Sequence, residues 1–274
     1  MSKSVADGTA VSGVLSAAAS RLADAGCDTP RLDAELLLAS VLDVDRARLV
    51  IDAQSSVCAE QQARFGALVA RRAEREPVAY ILGFKPFRRI TLAVDRRVLI
   101  PRPETELLVE VALSLPDRAS VADVGTGSGA VALALKDERP DLTVWGTDVD
   151  DGALAVARAN RDRLGLEVDF VQADLLEGID RRFDAVLANL PYVAEGSPLP
   201  PEIEGYEPDL ALFGGPDGLD PIRRLLPMVA GVPLVALEVG LAEAAGWLLA
   251  DAGFGSVERL QDLAGHDRVV VGRR

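Results

Sequence analysis

The tetrapeptide Asn189-Leu190-Pro191-Tyr192 closes the apolar run FDAVLAN, where a buried strand would end. An asparagine, a backbone carbonyl and an aromatic ring at that point can hold a planar nitrogen. The side-chain oxygen of Asn189 and the carbonyl of Leu190 are two acceptors for the hydrogens of an NH2 group. Holding both hydrogens aims the nitrogen lone pair in one direction. The acceptors gain strength as positive charge grows on that nitrogen, so they favour a transition state over the ground state and call for no general base. Pro191 stiffens the turn and drives Leu190 into an extended conformation, while the Tyr192 ring can stack on a flat amide. Asparagine is also a common turn former, so the decision rests on what else shares this strand edge.

The run Asp123-Val124-Gly125-Thr126-Gly127-Ser128-Gly129 follows a strand and opens a helix. Glycines in that setting let the backbone approach a ligand at the C-terminal edge of a sheet. Their G-x-G-x-G spacing lacks the later third glycine of dinucleotide sites. Asp148, in GTDVD at the end of the next strand, is placed to accept both hydrogens of a ribose diol. One strand further, Asp174 in VQADLL can accept from an adenine amine, with Leu175 beside it as an apolar wall. Either acid alone reads as a strand-end cap. In order, the loop and two acids describe an adenosyl ligand, and the acidic rim suits a cationic sulfonium better than a pyrophosphate. With Asn189 on the same edge, the chemistry is attack of an oriented amide or ring-amine nitrogen on a sulfonium methyl group.

Such residues meet only if strands and helices alternate. After Ala119 they do: SVADVG, AVALALKD, LTVWGTD, GALAVARANRDRLG, EVDFVQA and FDAVLAN read as strand, helix, strand, helix, strand, strand, then PLVALEV, AAGWLLADAGF, SVERLQD and RVVVG add a strand, a helix and two closing strands. That order predicts an α/β fold with a doubly wound, mostly parallel sheet buried on both faces. Before it, residues 10 to about 76 show helical periodicity with stops at Gly26 and before Pro77. The runs AYILGF, ITLAV and VLIP look β-like and suggest a hairpin. Pro103 starts a further helix, PETELLVEVALSL. The expected division is a helical domain over 1–78, a hairpin linker over 79–101 and a catalytic domain over 102–274. Trp145 and Trp247 are expected to face the core.

Hydrophobic residues are 49% and charged residues 26% of the 274, the composition of a folded globular chain. The longest apolar run, Leu225 to Leu237, contains Gly and Pro and falls short of the roughly 18 residues of a membrane span, so no membrane partner is expected. The N-terminal residues lack a secretory core, and two cysteines, Cys27 and Cys58, cannot frame a disulfide scaffold, which points to the cytoplasm. A net charge of −14 opposes direct nucleic-acid binding. Between Arg64 and Arg102, however, ten Lys and Arg face three Asp and Glu. That island reads either as a solvated surface or as a dock for an acidic partner. His266 is the single histidine, which excludes a His-based triad or a multi-His metal centre. No metal is expected.

Taken together, the motifs resemble those of the release-factor glutamine methyltransferase family, also called HemK or PrmC. The resemblance spans almost all of the chain: the helical start, the hairpin, LIPRPETE (99–106), DVGTGSG (123–129), the tetrapeptide, YEPDLALFGGPDGLD (206–220), LEVG (237–240) and DLAGHDRVVVGR near the end. It implies a seven-stranded class I methyltransferase sheet with an antiparallel last strand. It implies that Asp123, Gly125 to Gly129, Asp148, Asp174, Leu175 and Asn189 hold S-adenosylmethionine, leaving S-adenosylhomocysteine as product. Asn189 to Tyr192 would hold the glutamine of the Gly-Gly-Gln loop of a peptide chain release factor, the protein partner in translation termination, and the helical domain would help recognise it. The family usually carries Pro-Pro where this chain has Leu190-Pro191. Leu190 keeps the carbonyl, so it should modulate rather than decide. Arg102, Thr105 and Glu106 lie beside the crevice in the family pattern, although helix-start capping explains them almost as well. Two alternatives stay open: an adenine methyltransferase acting on ribosomal RNA, whose family shares Asn-Leu-Pro-Tyr but places its helical domain last, and a release-factor binder without turnover.

Overall fold

Residues 9–274 are described by the structure, a computed structural model, and the chain separates into two units. One holds the chain up to Gly83 together with Pro200–Tyr206; the other holds Phe84–Leu199 and Glu207–Arg274.

In the first unit, β1 (Thr9–Ala10) pairs antiparallel with β2 (Ser56–Val57), framing α1 (Val11–Asp24), α2 (Pro30–Leu42) and α3 (Arg46–Ile51). Helix α1 buries Val11, Leu15, Ala18 and Leu22, the i, i+4, i+7, i+11 stripe of an amphipathic helix, and stops before Gly26 at φ 76°. Pro30 occupies the first turn of α2, where its missing N–H costs nothing. Helix α4 (Ala59–Ala73) starts with the Gln61 side chain accepting from the Cys58 N–H. It packs Phe65 and Val69 into a core shared with Leu37 and Leu38 of α2. The run AYILGF, expected to be β-like, is instead helix α5 (Val78–Leu82). Short apolar runs carry too few periods to distinguish the two; here Pro77 opens a turn and Gly83, at φ 79°, caps it in the left-handed region.

The second unit opens with the hairpin of β3 (Phe84–Phe87) and β4 (Ile90–Ala93). A 3-10 turn, Pro103–Thr105, leads into α6 (Glu106–Leu113). Strands and helices then alternate: β5 (Ser120–Val124), α7 (Ala130–Glu138), β6 (Thr143–Asp148), α8 (Asp151–Leu164), β7 (Asp169–Gln172) and β8 (Ala185–Asn189). Beyond β8, the segment Pro200–Tyr206, with helix α9 (Pro201–Glu204), belongs to the helical unit. There the Glu202 carboxylate receives Arg72 at 3.0 Å and Arg75 at 2.7 Å, while Arg72 also meets Asp33 of α2 at 2.7 Å.

The chain returns through α10 (Asp220–Leu225), β9 (Leu234–Glu238), α11 (Ala242–Asp251), β10 (Ser256–Gln261) and β11 (Asp267–Arg273). The seven strands run β10-β11-β9-β8-β5-β6-β7. Pairs among β5 to β9 are parallel, and β11 is antiparallel to both its neighbours. Residues Ala185 to Ala188 of β8 are fully buried, as helices on both faces of a parallel sheet require. Trp247 does not face the core: it is 71% exposed. Helix α11 buries Ala242, Ala245 and Leu249, and position 247 lies nearly opposite that stripe. Trp145 is half-buried in β6 beneath the Arg181 guanidinium, 3.9 Å from the ring centroid.

Candidate functional site

Parallel strands bring their C-terminal ends to one edge, which collects Val124 of β5, Asp148 of β6, Asn189 of β8 and Glu238 of β9. A crevice of about 280 Å³ lies there, walled by the glycine loop, Asp148, Asp174, Leu175 and Asn189 to Pro191. That volume borders the ~300–1,000 Å³ usual for small-ligand pockets.

The glycine loop turns at φ 72°, 55° and 83° for Gly125, Gly127 and Gly129, a left-handed region that side chains resist. The N–H groups of Gly125 and Thr126 both donate to the Thr147 carbonyl, at 2.8 and 2.9 Å. A Cβ on Gly125 would stand 3.1 Å from Leu190 Cδ2, so the glycine loop and the tetrapeptide touch; a Cβ on Gly127 would meet nothing within 4 Å and would project into open space. Thr126 and Ser128 are buried. The Thr126 hydroxyl donates to Asp123 Oδ2 at 2.6 Å, as does the Ala132 N–H at 3.1 Å. Asp123 therefore ties the loop to the first turn of α7. Burial pushes its carboxyl up to about 6, against the pull of the Thr126 hydroxyl and the Ala132 amide.

Asp148 accepts from the Gly127 N–H at 2.9 Å through Oδ2 and from the Asp150 N–H at 3.0 Å through Oδ1. Each oxygen keeps a further lone pair for a ligand. Burial raises its pKa above the ordinary value, while the Asp150 and Gly127 amides counteract. Leu175 is buried at φ 56°, its carbonyl receiving the Thr147 hydroxyl at 2.8 Å. Asp174 carries an ion pair to Arg224 at 2.6 Å, both residues on the crevice wall.

At the tetrapeptide, Asn189 Nδ2 donates to the Thr105 hydroxyl at 3.1 Å, which leaves its Oδ1 as the outward group. Leu190 is 5% exposed and packs into the sheet core, so it contributes more than a restored torsion where a proline would stand. Pro191 lines the crevice; Tyr192 does not. The Tyr192 ring lies against Gly240, where a Cβ would come within 3.2 Å of it. Burial, then the nearby Glu238 charge, pushes its hydroxyl up to about 12.

Two residues of this edge, Glu207 and Glu238, had no assigned role in the sequence, and a third, Thr105, was expected beside the crevice or as a helix-start cap. Thr105 stands at the N-cap position of α6 without a side-chain cap bond; it lines the crevice, is 4% exposed and accepts from Asn189. Glu207 receives the Ile100 N–H at 3.3 Å and Arg102 at 2.5 Å, joining two of the quoted motifs. Glu238 is 2% exposed, and the signal for it was an acid at the end of the otherwise apolar PLVALE. The arginines of the basic island are largely engaged: Arg71 with Glu76, Arg88 with Glu138, Arg97 with Asp95 and Arg102 with Glu207.

Comparisons with known proteins fit this geometry. Residues 13–83 match the model described as PrmC N-terminal domain, and residues 103–199 match that of the methyltransferase small domain. The release factor glutamine methyltransferase of Geobacter sulfurreducens is 40% identical over 92% of each chain, and that of Caulobacter vibrioides 42% over 93% of each. The chain belongs to the release factor glutamine methyltransferase family. The solved structure of a methyltransferase from Pyrococcus furiosus shares the fold at 19% identity and TM-score 0.52, over 66% of this chain and 87% of that one. The catalytic domain of hMettl16 in complex with an RNA hairpin does so at 16% and 0.56, over 75% and 81%. The fold is thus that of class I methyltransferases, with the seven-stranded sheet and antiparallel strand β11 expected of it. Among the described residues, no helix is long and apolar enough to cross a membrane.

Proposed function

We propose that the protein methylates the side-chain amide nitrogen of the glutamine in the Gly-Gly-Gln loop of peptide chain release factors, in the cytoplasm, with S-adenosylmethionine as donor. The observation that carries this reading is the orientation of Asn189, whose nitrogen is tethered to Thr105 and whose oxygen is left for a substrate N–H.

The residues present fit the cofactor. Gly127 opens toward the crevice without a side chain, Asp148 keeps free lone pairs, and the carboxylates of Asp148 and Asp150 give the rim the negative charge a sulfonium favours. When bound, S-adenosylmethionine supplies an electrophilic methyl group. The chain's own contribution is positional. A carboxamide nitrogen is a poor nucleophile because its lone pair is delocalised. Asn189 Oδ1 and the Leu190 carbonyl would accept hydrogen bonds from its two N–H groups, hold the lone pair toward the crevice and strengthen their grip as the nitrogen becomes positive. One of those protons is then lost to solvent, leaving the neutral N-methyl amide. Pro191 keeps the turn stiff, and the Tyr192 ring stands behind it at Gly240. The order of the two matched models, helical domain first, favours this reading over adenine methylation.

Incubation with S-adenosylmethionine and a purified release factor should add the mass of one methylene to the Gly-Gly-Gln peptide. An unmodified peptide, with methyl groups found on RNA adenine instead, would overturn the proposal.

A further inference from the structure

Glu238 is a strongly buried acid of this edge that the proposed chemistry leaves without a task. It ends β9 directly beside Asn189 in the parallel register and opposite Val269 of β11. Its Oε2 has no hydrogen-bond partner, although the residue is 2% exposed. A buried carboxylate oxygen without a partner costs free energy, which calls for a compensating role. The Thr105 hydroxyl lies near enough to the Glu238 carboxylate to lower its pKa, and Asn189 Nδ2 donates to the same hydroxyl at 3.1 Å.

A hydroxyl has one hydrogen to give. If that hydrogen goes to Glu238, Thr105 Oγ1 can only accept, and the group that satisfies it is the NH2 end of Asn189. The carboxamide is then fixed with Oδ1 toward the crevice. If Glu238 carries a proton, it can donate to Thr105, whose hydrogen is freed to point at Asn189. The Asn189 oxygen is then drawn inward and its NH2 faces the crevice, where it repels an incoming N–H. We propose that ionised Glu238 is a positioning residue which, acting through Thr105, sets which end of the Asn189 carboxamide meets the substrate amide. The inference rests on Asn189 being the acceptor described above.

Burial pushes the Glu238 carboxyl up to about 7, with the Thr105 hydrogen bond lowering it, Glu104 raising it, and Arg102 and Arg268 lowering it. The Tyr192 phenol also faces it and stays neutral across that range. The relay therefore switches near neutrality: the productive orientation is gained as pH rises through the Glu238 pKa and lost as it falls.

Two measurements on the full-length protein test this. In the first, the side-chain NH2 resonance of Asn189, identified by its loss in Asn189→Ala, is followed by NMR across neutrality without substrate. It should shift with a midpoint near that of Glu238 and stay fixed in Glu238→Gln. In the second, kcat for the release factor is measured against pH alongside cofactor Kd and thermal stability. The parent should gain turnover as pH rises to a plateau, and Glu238→Gln should lose that step. Thr105→Val should lose on the order of 100-fold in kcat with cofactor Kd unchanged, and Thr105→Ser, which restores the hydroxyl, should recover most of it. A pH step that persists in Glu238→Gln, a Thr105→Ser as slow as Thr105→Val, or an Asn189 resonance indifferent to pH would each overturn the relay. A parent that switches by NMR yet leaves the glutamine unmodified would instead sink the reading of the substrate.

Discussion

Asn189 can present a single oxygen to the crevice because its nitrogen is already engaged by Thr105. Removing that oxygen in Asn189→Ala should cost roughly 2.7–4 kcal/mol of transition-state stabilisation, the range seen when one preorganised partner of a developing charge is lost. Turnover by mass spectrometry should fall accordingly while calorimetry finds near-parent cofactor affinity; undiminished turnover would remove the orientation mechanism. Asp123 makes a different kind of statement. Its carboxyl is raised from an ordinary 3.8 to about 6, chiefly by burial. Below the ordinary value both folded and unfolded states are protonated and no penalty exists. Between there and about 6 the folded state holds the proton more tightly, so stability falls as pH rises and levels off above. Asp123→Asn cannot titrate. Its stability relative to the parent should therefore climb over that window in urea unfolding, and a constant difference would show that the carboxyl is ionised throughout.

The glycine loop shows how one element divides its residues between ligand and fold. Gly127 sits at φ 55° with open space beyond its missing Cβ, whereas a Cβ on Gly129 would come within 2.9 Å of Leu133 and 3.1 Å of Phe170. Gly127→Ala should carry about 1–2 kcal/mol of left-handed strain and weaken cofactor binding by filling the crevice. Gly129→Ala should add about 1–3 kcal/mol of overpacking to that strain and show chiefly as a lowered melting temperature. Equal losses of affinity and stability in both would erase the distinction. The strand and helix alternation around this loop was legible because periodicity is a local property, and so were the acids at the strand ends. Helix α5 was not, since five residues give little more than one turn of pattern. Trp247 misled because its type suggests burial while its place on the helix face decides exposure. Glu238 escaped notice, and Thr105 stood undecided between crevice and cap, for a third reason: each matters through a partner across the sheet edge, and spacing along the chain says nothing of which way a side chain turns.

For the molecule as a whole, the excess of basic residues between Arg64 and Arg102 is mostly internal wiring. Arg72 and Asp33 are each only 7% exposed at their side chains, and Glu202, carried by Pro200–Tyr206 into the helical unit, joins Arg72 and Arg75. The sequence showed the charge island but not this use of it, because Glu202 lies far along the chain from the arginines it serves. Taking away one partner of a mostly buried ion network leaves desolvated charge behind, although Arg72 retains Asp33. Glu202→Ala should therefore destabilise the helical unit by about 1–3 kcal/mol. The residues that wall the cofactor crevice all belong to the other unit. A ligand that binds only the folded state raises stability by an amount set by its concentration over Kd, so S-adenosylmethionine should raise the melting temperature of Glu202→Ala by the same increment as in the parent, from a lower starting point. A lost increment would mean that Glu202 serves the crevice as well as the helices, and an unchanged starting point would mean that the network contributes no stability.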